Sequence, residues 1–351
     1  MNSSKVGGPP CATFKRFRPA FAEAATRRQA QGSYSVPAES VLVFYCSLKV
    51  YTSLKEDENL VGSMNNKNIL GLKIDVDTYM GMKRGVPRLL SILARFGIQA
   101  TFYLSMGPDA SGKAILQLVK NPRFLKKMLR TNAGRLYGIK TALYGTLLPS
   151  PMIALSFPEL VEQIISAGHE VEFHAWDHRR WQDELYTRSS GWIKDWFEKG
   201  ILAYRKLVKK EPSSFGAPSW LIDDRVLEII KRYPFRYLSC TRAKEPFIHD
   251  ISGLIEIPSD LPCFEEIGVH QGVSRILQIL KNGGMHVLPI HAEVEGGIWD
   301  KYFIELCEKV QSTNFQILPL SKIWALLESK ALSVRKYRME LLPGRSGPCA
   351  V

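Results

Sequence analysis

Asp75 and Asp77 stand one residue apart at the end of an apolar, β-branched run, Ile69-Leu-Gly-Leu-Lys-Ile-Asp-Val-Asp-Thr78. Side chains at i and i+2 of an extended chain point to the same side. Both carboxylates therefore emerge together where a strand runs out, placed to move a proton or to hold a cation. Taken alone, the pair reads equally well as a solvated loop, but three later strand ends also finish in reactive residues. His174-Ala-Trp-Asp-His178 puts two imidazoles at i and i+4, on one face of a helical turn, where both can reach one divalent ion. Asp77 supplies a third, anionic ligand, and the set leaves a coordination position open for water or substrate. Asp177 reads as a turn cap or a solvent-facing residue. His291, ending Pro289-Ile-His-Ala-Glu293, is by default an ordinary core or surface histidine; beside a metal it becomes a natural general acid. Asp75, near the metal, then takes a proton from water. Gly216-Ala-Pro-Ser-Trp220 is either a rigid connection or a turn that offers a backbone N–H to an oxyanion, with Trp220 walling the pocket.

These residues need a scaffold that gathers strand ends. Pro87 suits the first turn of a helix, Val86, Leu89, Leu90 and Leu93 recur at helical spacing, and Gly97 can end it. Gln99–Leu104 and Glu170–His174 read as the second and third strands. Ser156-Phe-Pro-Glu159 fits a capping box for a helix that Gly168 stops. Trp192–Lys210 is a long amphipathic helix, followed by a short strand near Ser214–Ala217 and by a helix carrying Val226, Leu227 and Ile230. Arg236–Ser239, Leu254–Ile257, Met285–Ile290 and Phe315–Leu318 read as further strands, with Ile276–Leu280 and Tyr302–Val310 helical. Alternation of strand and helix without an internal repeat predicts an α/β fold with a mainly parallel sheet. No G-x-G-x-x-G follows the first strand, so the dinucleotide fingerprint is absent. Reactive residues at several strand ends favour a barrel-like closure over an open sheet.

Three segments follow from composition. Residues 1–66 read as a poorly ordered extension, since Met1–Gly32 is rich in Pro, Gly, Ser and Arg without an apolar period. Met64 is then the candidate physiological start, which N-terminal sequencing of the native protein checks. Residues 67–328 carry the strand–helix alternation and read as the main domain, with a basic amphipathic insertion at about 110–155, and 329–351 read as a loose basic tail. The six cysteines show no C-x-x-C spacing, which fits free thiols in a reducing compartment. Val41–Leu48 is too short to span a membrane.

The net charge is +13 over 351 residues, admitting nucleic acid, an anionic membrane or a phosphorylated substrate as partner. Much of the excess is local, because no acidic residue falls between Asp109 and Glu159. There Arg123, Lys126, Lys127 and Arg130 are interleaved with Phe124, Leu136 and Tyr137. That pattern describes an element that inserts shallowly into an anionic membrane surface, or else a solvated helical pair with a normal core stripe. No nucleic-acid recognition module accompanies the charge.

Asp75/Asp77, His174/His178, Phe215-Gly-Ala-Pro-Ser-Trp220 and Ile290-His291 together resemble the five motifs of the polysaccharide deacetylase family (NodB homology, carbohydrate esterase family 4). Within it the chain is most similar to the branch that deformylates lipid-linked 4-deoxy-4-formamido-L-arabinose. The likeness includes Gly85-Val-Pro-Arg-Leu-Leu90, Ser105-Met-Gly-Pro-Asp109, Trp181-Gln182 and Ile290-His-Ala-Glu-Val-Glu-Gly296, and runs in order from about Asn68 to Ile323. The resemblance implies a distorted (β/α) barrel and one divalent metal ion, Zn²⁺ or Mn²⁺/Co²⁺. Residue by residue, it makes Asp75 the general base, Asp77, His174 and His178 the metal ligands, and His291 the general acid. Pro218, Ser219, Trp220, Arg242 and Glu293 become oxyanion or substrate contacts. There are two departures. The family's third-motif arginine is Gly216 here, and the arginine that the deformylases place after the Trp is Leu221; the fourth-motif acid is Cys240, with Arg242 as candidate replacement for the lost charge.

The implied activity is removal of the N-formyl group from the undecaprenyl-phosphate-linked sugar, a step of lipid A modification that underlies resistance to cationic peptides. It implies a peripheral protein on the cytoplasmic face of the bacterial inner membrane. Two alternatives stay open at this point: a general sugar N-deacetylase on a polysaccharide or other lipid-linked glycan, and a non-catalytic carbohydrate- or lipid-binding member. The sequence sets no oligomeric state.

Overall fold

A computed structural model describes residues 68–113, 144 and 148–351. The N-terminal extension with Met64, and the membrane-contact candidates Arg123, Phe124, Lys126, Lys127, Arg130, Leu136 and Tyr137, lie outside the described residues.

β1 (Asn68–Val76) carries the rest of the sheet. Its alternate residues Leu70, Leu72, Ile74 and Val76 enter the main hydrophobic core. The opposite side presents Gly71, Lys73 and Asp75 in that order, as the two-residue period of a strand requires. Gly71 faces the helix Leu320–Glu328, and a Cβ there would come within 2.8 Å of the Leu320 and Ile323 side chains. The strand therefore runs from a tightly plugged end to a carboxylate-bearing one.

In chain order there follow β2 (Thr101–Ser105), β3 (Glu170–Ala175), β4 (Ser214–Phe215), β5 (Tyr237–Leu238), β6 (Phe247–His249), β7 (Ile255–Glu256), β8 (Met285–His291), β9 (Phe315–Leu318) and β10 (Val334–Arg335). The sheet order is β10-β6-β7-β5-β4-β3-β2-β1-β8, with β9 also on β1. β8 lies along one edge of β1, while β9 and then β2 succeed each other along the other. Within this sheet every pairing is parallel except β6 with β7. The outcome is an α/β fold whose parallel sheet curls into a distorted (β/α) barrel.

Helix Val86–Phe96 forms as its sequence predicts: Pro87 lies in its first turn, Val86, Leu89, Ile92 and Leu93 are buried, and Gly97 closes it at φ 61°. The capping box at Ser156 does not form. Helix Pro158–Ser166 starts one residue late, with Phe157 at its N-cap, and the Ser156 hydroxyl donates instead to the Met152 carbonyl at 2.6 Å, closing a short 3₁₀ turn. The described cysteines Cys240, Cys263, Cys307 and Cys349 are buried and unpaired. No helix among the described residues is long and apolar enough to cross a membrane.

The tail also departs from expectation. β10 adds to the sheet beside β6, and β11 (Met339–Glu340) pairs antiparallel with β12 (Cys349–Ala350), whose two residues are buried. The Arg242 N–H donates to the Ala350 carbonyl at 2.7 Å. One cation that read as solvated has buried partners: the Arg345 guanidinium donates to Glu266 and to the Ser219 carbonyl, each at 3.1 Å, and lies 4.8 Å from the centre of the Trp220 ring. Hydrogen bonds to charged groups contribute about 1.5–3 kcal/mol each. Arg345→Met is therefore expected to cost about 1–3 kcal/mol of stability, read in denaturant unfolding, and an unchanged midpoint would mean that the tail is only laid against the barrel.

Candidate active site

The carboxyl ends of β1, β3 and β8 meet at one rim. Asp75 and His291 are register partners on adjacent parallel strands, so their proximity follows from the pairing of β1 with β8. His174 reaches the same rim by a different device. Leu104 pairs with Phe173 and Ser105 with Ala175, leaving His174 as the extra residue of a β-bulge. Bulges re-aim a side chain at a strand end. The ring is then fixed through Nδ1, 2.7 Å from the Gly216 carbonyl, which requires the proton on Nδ1 and turns Nε2 outward to the rim.

His174 Nε2 lies 3.0 Å from Asp77 Oδ1, and His178 Nε2 lies 3.3 Å from Asp77 Oδ2. His178 opens the helix His178–Glu184, and Asp177 caps that helix by accepting the Arg180 N–H at 2.9 Å. One ligand atom each from Asp77, His174 and His178 fall within 4.8 Å of one another. His174 Nε2 and Asp77 Oδ1 are buried and close, yet neither finds an aligned hydrogen-bond partner. Buried polar atoms left in this way point at something they hold in common. Burial pushes the His178 imidazole down to about 4, keeping it neutral. Burial opposes ionisation of Asp77, but the His178 and His174 rings hold its carboxyl well below the usual range. Two imidazole nitrogens and a carboxylate converging on one point fit a divalent ion.

The Asp77 turn is itself held from just beyond β8. Glu293 Oε1 accepts the Asp77 N–H at 2.9 Å, the Thr78 N–H at 2.6 Å and the Thr78 hydroxyl at 2.8 Å. Gly81 leaves room for this carboxylate, since a Cβ there would come within 2.1 Å of Oε1. This corrects the expectation that Glu293 faces substrate: it is buried, it sets the ligand turn, and burial with Asp77 nearby pushes its carboxyl up to about 8.

Asp75 is buried, with both oxygens within 2.6 Å of Lys73 Nζ. His291 donates its backbone N–H to Glu295 at 2.8 Å, and its Nδ1 lies 3.0 Å from Glu265 Oε2. Burial alone would lower the imidazole, but Glu265, reinforced by Asp77 and Asp75, raises it to about 10. An anion therefore does serve the histidine, from a position that no motif marked. The two expected substitutes have other work. Cys240 is a buried thiol 3.2 Å from the Phe215 carbonyl, and burial pushes it well above its ordinary range. Arg242, offered as a replacement charge and substrate contact, is buried, with its guanidinium spent on Ser259 O, Leu261 O and both oxygens of Glu266. It braces the site wall.

Pro218–Trp220 forms a short turn with Ser219 and Trp220 in the left-handed region, φ 53° and 55°. Non-glycine residues held there cost on the order of 1–3 kcal/mol each and cluster at functional sites. The Trp220 and Leu221 N–H groups are used within the turn, on the Ala217 and Pro218 carbonyls, and proline has none. The Ser219 N–H is thus the donor this turn can offer. Trp220 stands edge-on to His291, ring centres 6.4 Å apart.

Sequence reasoning missed Lys73, Glu265, the Gly216 carbonyl and Arg345. Lys73 carried a signal, being a lone cation inside an apolar strand two residues before a carboxylate. Glu265 carried none.

The Glu265–His291 pair sets a pH dependence. A histidine raised from its ordinary value contributes stability that is fully present below about 6.5 and lost as pH rises through about 10. In catalysis the protonated ring is the donor, so its loss defines an alkaline limb. Glu265→Gln removes the attracting anion, and the alkaline limb of kcat/KM is expected to move down by about 1–3 pH units. An unmoved limb would separate Glu265 from the acid.

The comparisons with known proteins agree with this geometry. The family model of polysaccharide deacetylases matches residues 65–238. A Shewanella sediminis protein described as a probable 4-deoxy-4-formamido-L-arabinose-phosphoundecaprenol deformylase is 35% identical over 267 residues, covering 74% of this chain and 87% of its own length. A Wigglesworthia glossinidia brevipalpis protein of the same description is 30% identical over 279 residues, covering 76% of this chain and 96% of its own. Among solved structures, a Mycobacterium smegmatis protein assigned to the polysaccharide deacetylases superposes with a TM-score of 0.58 at 17% identity, over 80% of this chain and 97% of that one, a likeness of fold.

Proposed function

The chain belongs to the polysaccharide deacetylase family and is an amide hydrolase, and on that premise we propose that it removes the N-formyl group from undecaprenyl-phosphate-linked 4-deoxy-4-formamido-L-arabinose. One observation carries the reading: a metal-type donor set and two proton-transfer groups lie at the same rim, in a chain whose curated relatives bear that deformylase name.

Asp77, His174 and His178 are the residues that would hold a divalent ion, Zn²⁺ or Mn²⁺/Co²⁺. When bound, such an ion polarises the amide carbonyl and acidifies the attacking water. The chain's own residues supply the rest. Asp75 accepts the proton that the water gives up as its oxygen attacks the formyl carbon. The Ser219 N–H is the donor suited to the oxygen on which negative charge develops. His291, held protonated by Glu265, delivers a proton to the sugar nitrogen as the C–N bond breaks. The products are formate and a free 4-amino sugar, which becomes cationic; on this reading the step serves lipid A modification and resistance to cationic peptides. Protonation of the leaving nitrogen matters most for an amide, because a sugar amide ion is too basic to leave unaided.

The substrate's polyprenyl tail keeps it in the bilayer, so the protein works as a peripheral protein on the cytoplasmic face of the bacterial inner membrane. The acid-free basic span between Asp109 and Glu159 supports that placement. The deciding assay offers the ion-reconstituted protein the lipid-linked formamido sugar and its acetamido analogue side by side. Formate release in excess of acetate is expected, although one methyl group supplies only about 1–3 kcal/mol of discrimination. Acetate release alone would replace this reading with a general sugar N-deacetylase.

A further inference from the structure

Lys73 interrupts the apolar run of β1, and its side chain is fully buried on the barrel side, two residues before Asp75. Its Nζ lies 2.6 and 2.5 Å from the two Asp75 oxygens, 4.9 Å from the centre of the Tyr103 ring and 5.4 Å from that of Trp220. The ammonium is thus boxed between one carboxylate and two aromatic faces, each attractive to a cation. Replacing a buried ion pair by apolar side chains is often neutral or stabilising, so stability gives little reason to keep a lysine here. Its partner gives a better one. Among the described residues, Lys73 is the cation recorded in an ion pair with Asp75. The turn beyond β4 cannot supply another: a Cβ at Gly216 would come within 2.7 Å of the Tyr103 ring, and Leu221 carries no charge.

We propose that Lys73 is the positioning residue of Asp75. Its ammonium engages one lone-pair lobe of each carboxylate oxygen, which fixes the plane of the carboxylate and leaves the outer lobes for water. The inference rests on Asp75 being the general base of the proposed hydrolysis, and it explains how that base is oriented although the third motif brings no arginine. A point charge at the end of a flexible stem is normally a poor orienter. Here the Tyr103 and Trp220 rings confine the ammonium, which supplies the rigidity that a guanidinium fork has by itself. Asp75, Tyr103 and Trp220 thus all close on the one Lys73 ammonium.

The test uses the full chain with Lys73→Met, which keeps the length of the side chain and removes its charge, and Lys73→Arg, which restores a cation. Lys73→Met is expected to lower kcat about 10²-fold, the usual effect of a misplaced catalytic group, with KM within about twofold of wild type. Zinc stoichiometry by calorimetry and the visible spectrum of the Co²⁺ form are expected to stay unchanged, since no ligand is touched. Lys73→Arg is expected to recover most of the loss, which a merely space-filling role does not predict. Crystal structures of both variants give a readout independent of turnover: Asp75 is expected to change rotamer in Lys73→Met and to keep it in Lys73→Arg. The proposal is overturned by a Lys73→Met protein with wild-type kcat, or by one whose Asp75 carboxylate has not moved. If the wild type releases acetate and no formate, the deformylase reading fails and the same comparison is made on the acetamido sugar. If it hydrolyses neither, the Asp75 rotamer decides. Should Lys73→Met not fold, Lys73→Gln, which retains a polar end, is carried through the same measurements.

Discussion

Asp77→Ala is expected to yield a folded protein that no longer retains a divalent ion and that releases formate at least about 10³-fold more slowly, the loss of several kcal/mol of transition-state stabilisation. Asp77 touches both histidines, at 3.0 and 3.3 Å, and is the only anion of the three candidate ligands. Its removal leaves two imidazoles and no anion, a poor match for a dication. Graded controls lie in the surrounding shell. Thr78→Val deletes one hydrogen bond to Glu293, and Glu293→Gln weakens the clasp on the whole turn. Changes of that outer kind typically cost about 10–100-fold in metal affinity. The expected order of ion retention, measured by calorimetry and elemental analysis, is therefore wild type, then the Thr78 and Glu293 variants, then Asp77→Ala. Stoichiometric ion in purified Asp77→Ala would move the site elsewhere. The neighbouring group of Cys263, Glu265 and His291 also brings its donor atoms within 4.8 Å, so occupancy is best read together with spectra of the Co²⁺ form, in which a thiolate ligand gives an intense charge-transfer band.

How far the site was legible in the sequence depended on whether geometry followed from period. Strand alternation carried Asp75 and Asp77, because a two-residue period needs no tertiary knowledge, whereas the pairing of β1 with β8 that sets Asp75 beside His291 came only from the folded sheet. His174 was legible as a candidate but not in its aim: the bulge at this residue is a local departure from the period, and nothing in Glu170-Val-Glu-Phe-His-Ala175 announces it. Glu265 meets His291 from a different element 26 positions away by residue number. An acid in a short helical turn has no spacing relation to a strand-end histidine, so only the folded chain brings them together. Arg242 misled for the opposite reason. Its match to a motif was sound, but a match says nothing about where a guanidinium spends its donors, and Ser259, Leu261 and Glu266 take them. The tail failed on composition. Lys, Arg, Gly and Pro make a segment read as solvated, yet two-residue strands and a few cation–carboxylate contacts are enough to seat it.

Asp75→Asn and His291→Ala, singly and together, test whether the two proton-transfer groups act as a unit. Each is expected to lower kcat/KM by about 10²–10⁴-fold, the usual contribution of a positioned acid or base, and each should leave ion binding intact because neither belongs to the Asp77, His174 and His178 set. The two groups work at opposite ends of one event. Asp75 takes a proton as the C–O bond forms, and His291 returns one as the C–N bond breaks. Once either is lost, the other has less to accelerate, so the double variant is expected to fall well short of the product of the single effects. The variants also part company in pH dependence. His291→Ala removes the alkaline limb that Glu265 sets, since the raised imidazole that defined it is gone. Asp75→Asn keeps an alkaline limb, displaced downward by the loss of one reinforcing anion, while losing rate at every pH. A leaving group more acidic than the sugar amine separates them again: it rescues His291→Ala, which lacks only protonation of the nitrogen, and gives Asp75→Asn far less. Rescue of both to the same extent, or of neither, would mean that the two ends of β1 and β8 do not divide the chemistry in this way, and that their register partnership serves the fold alone.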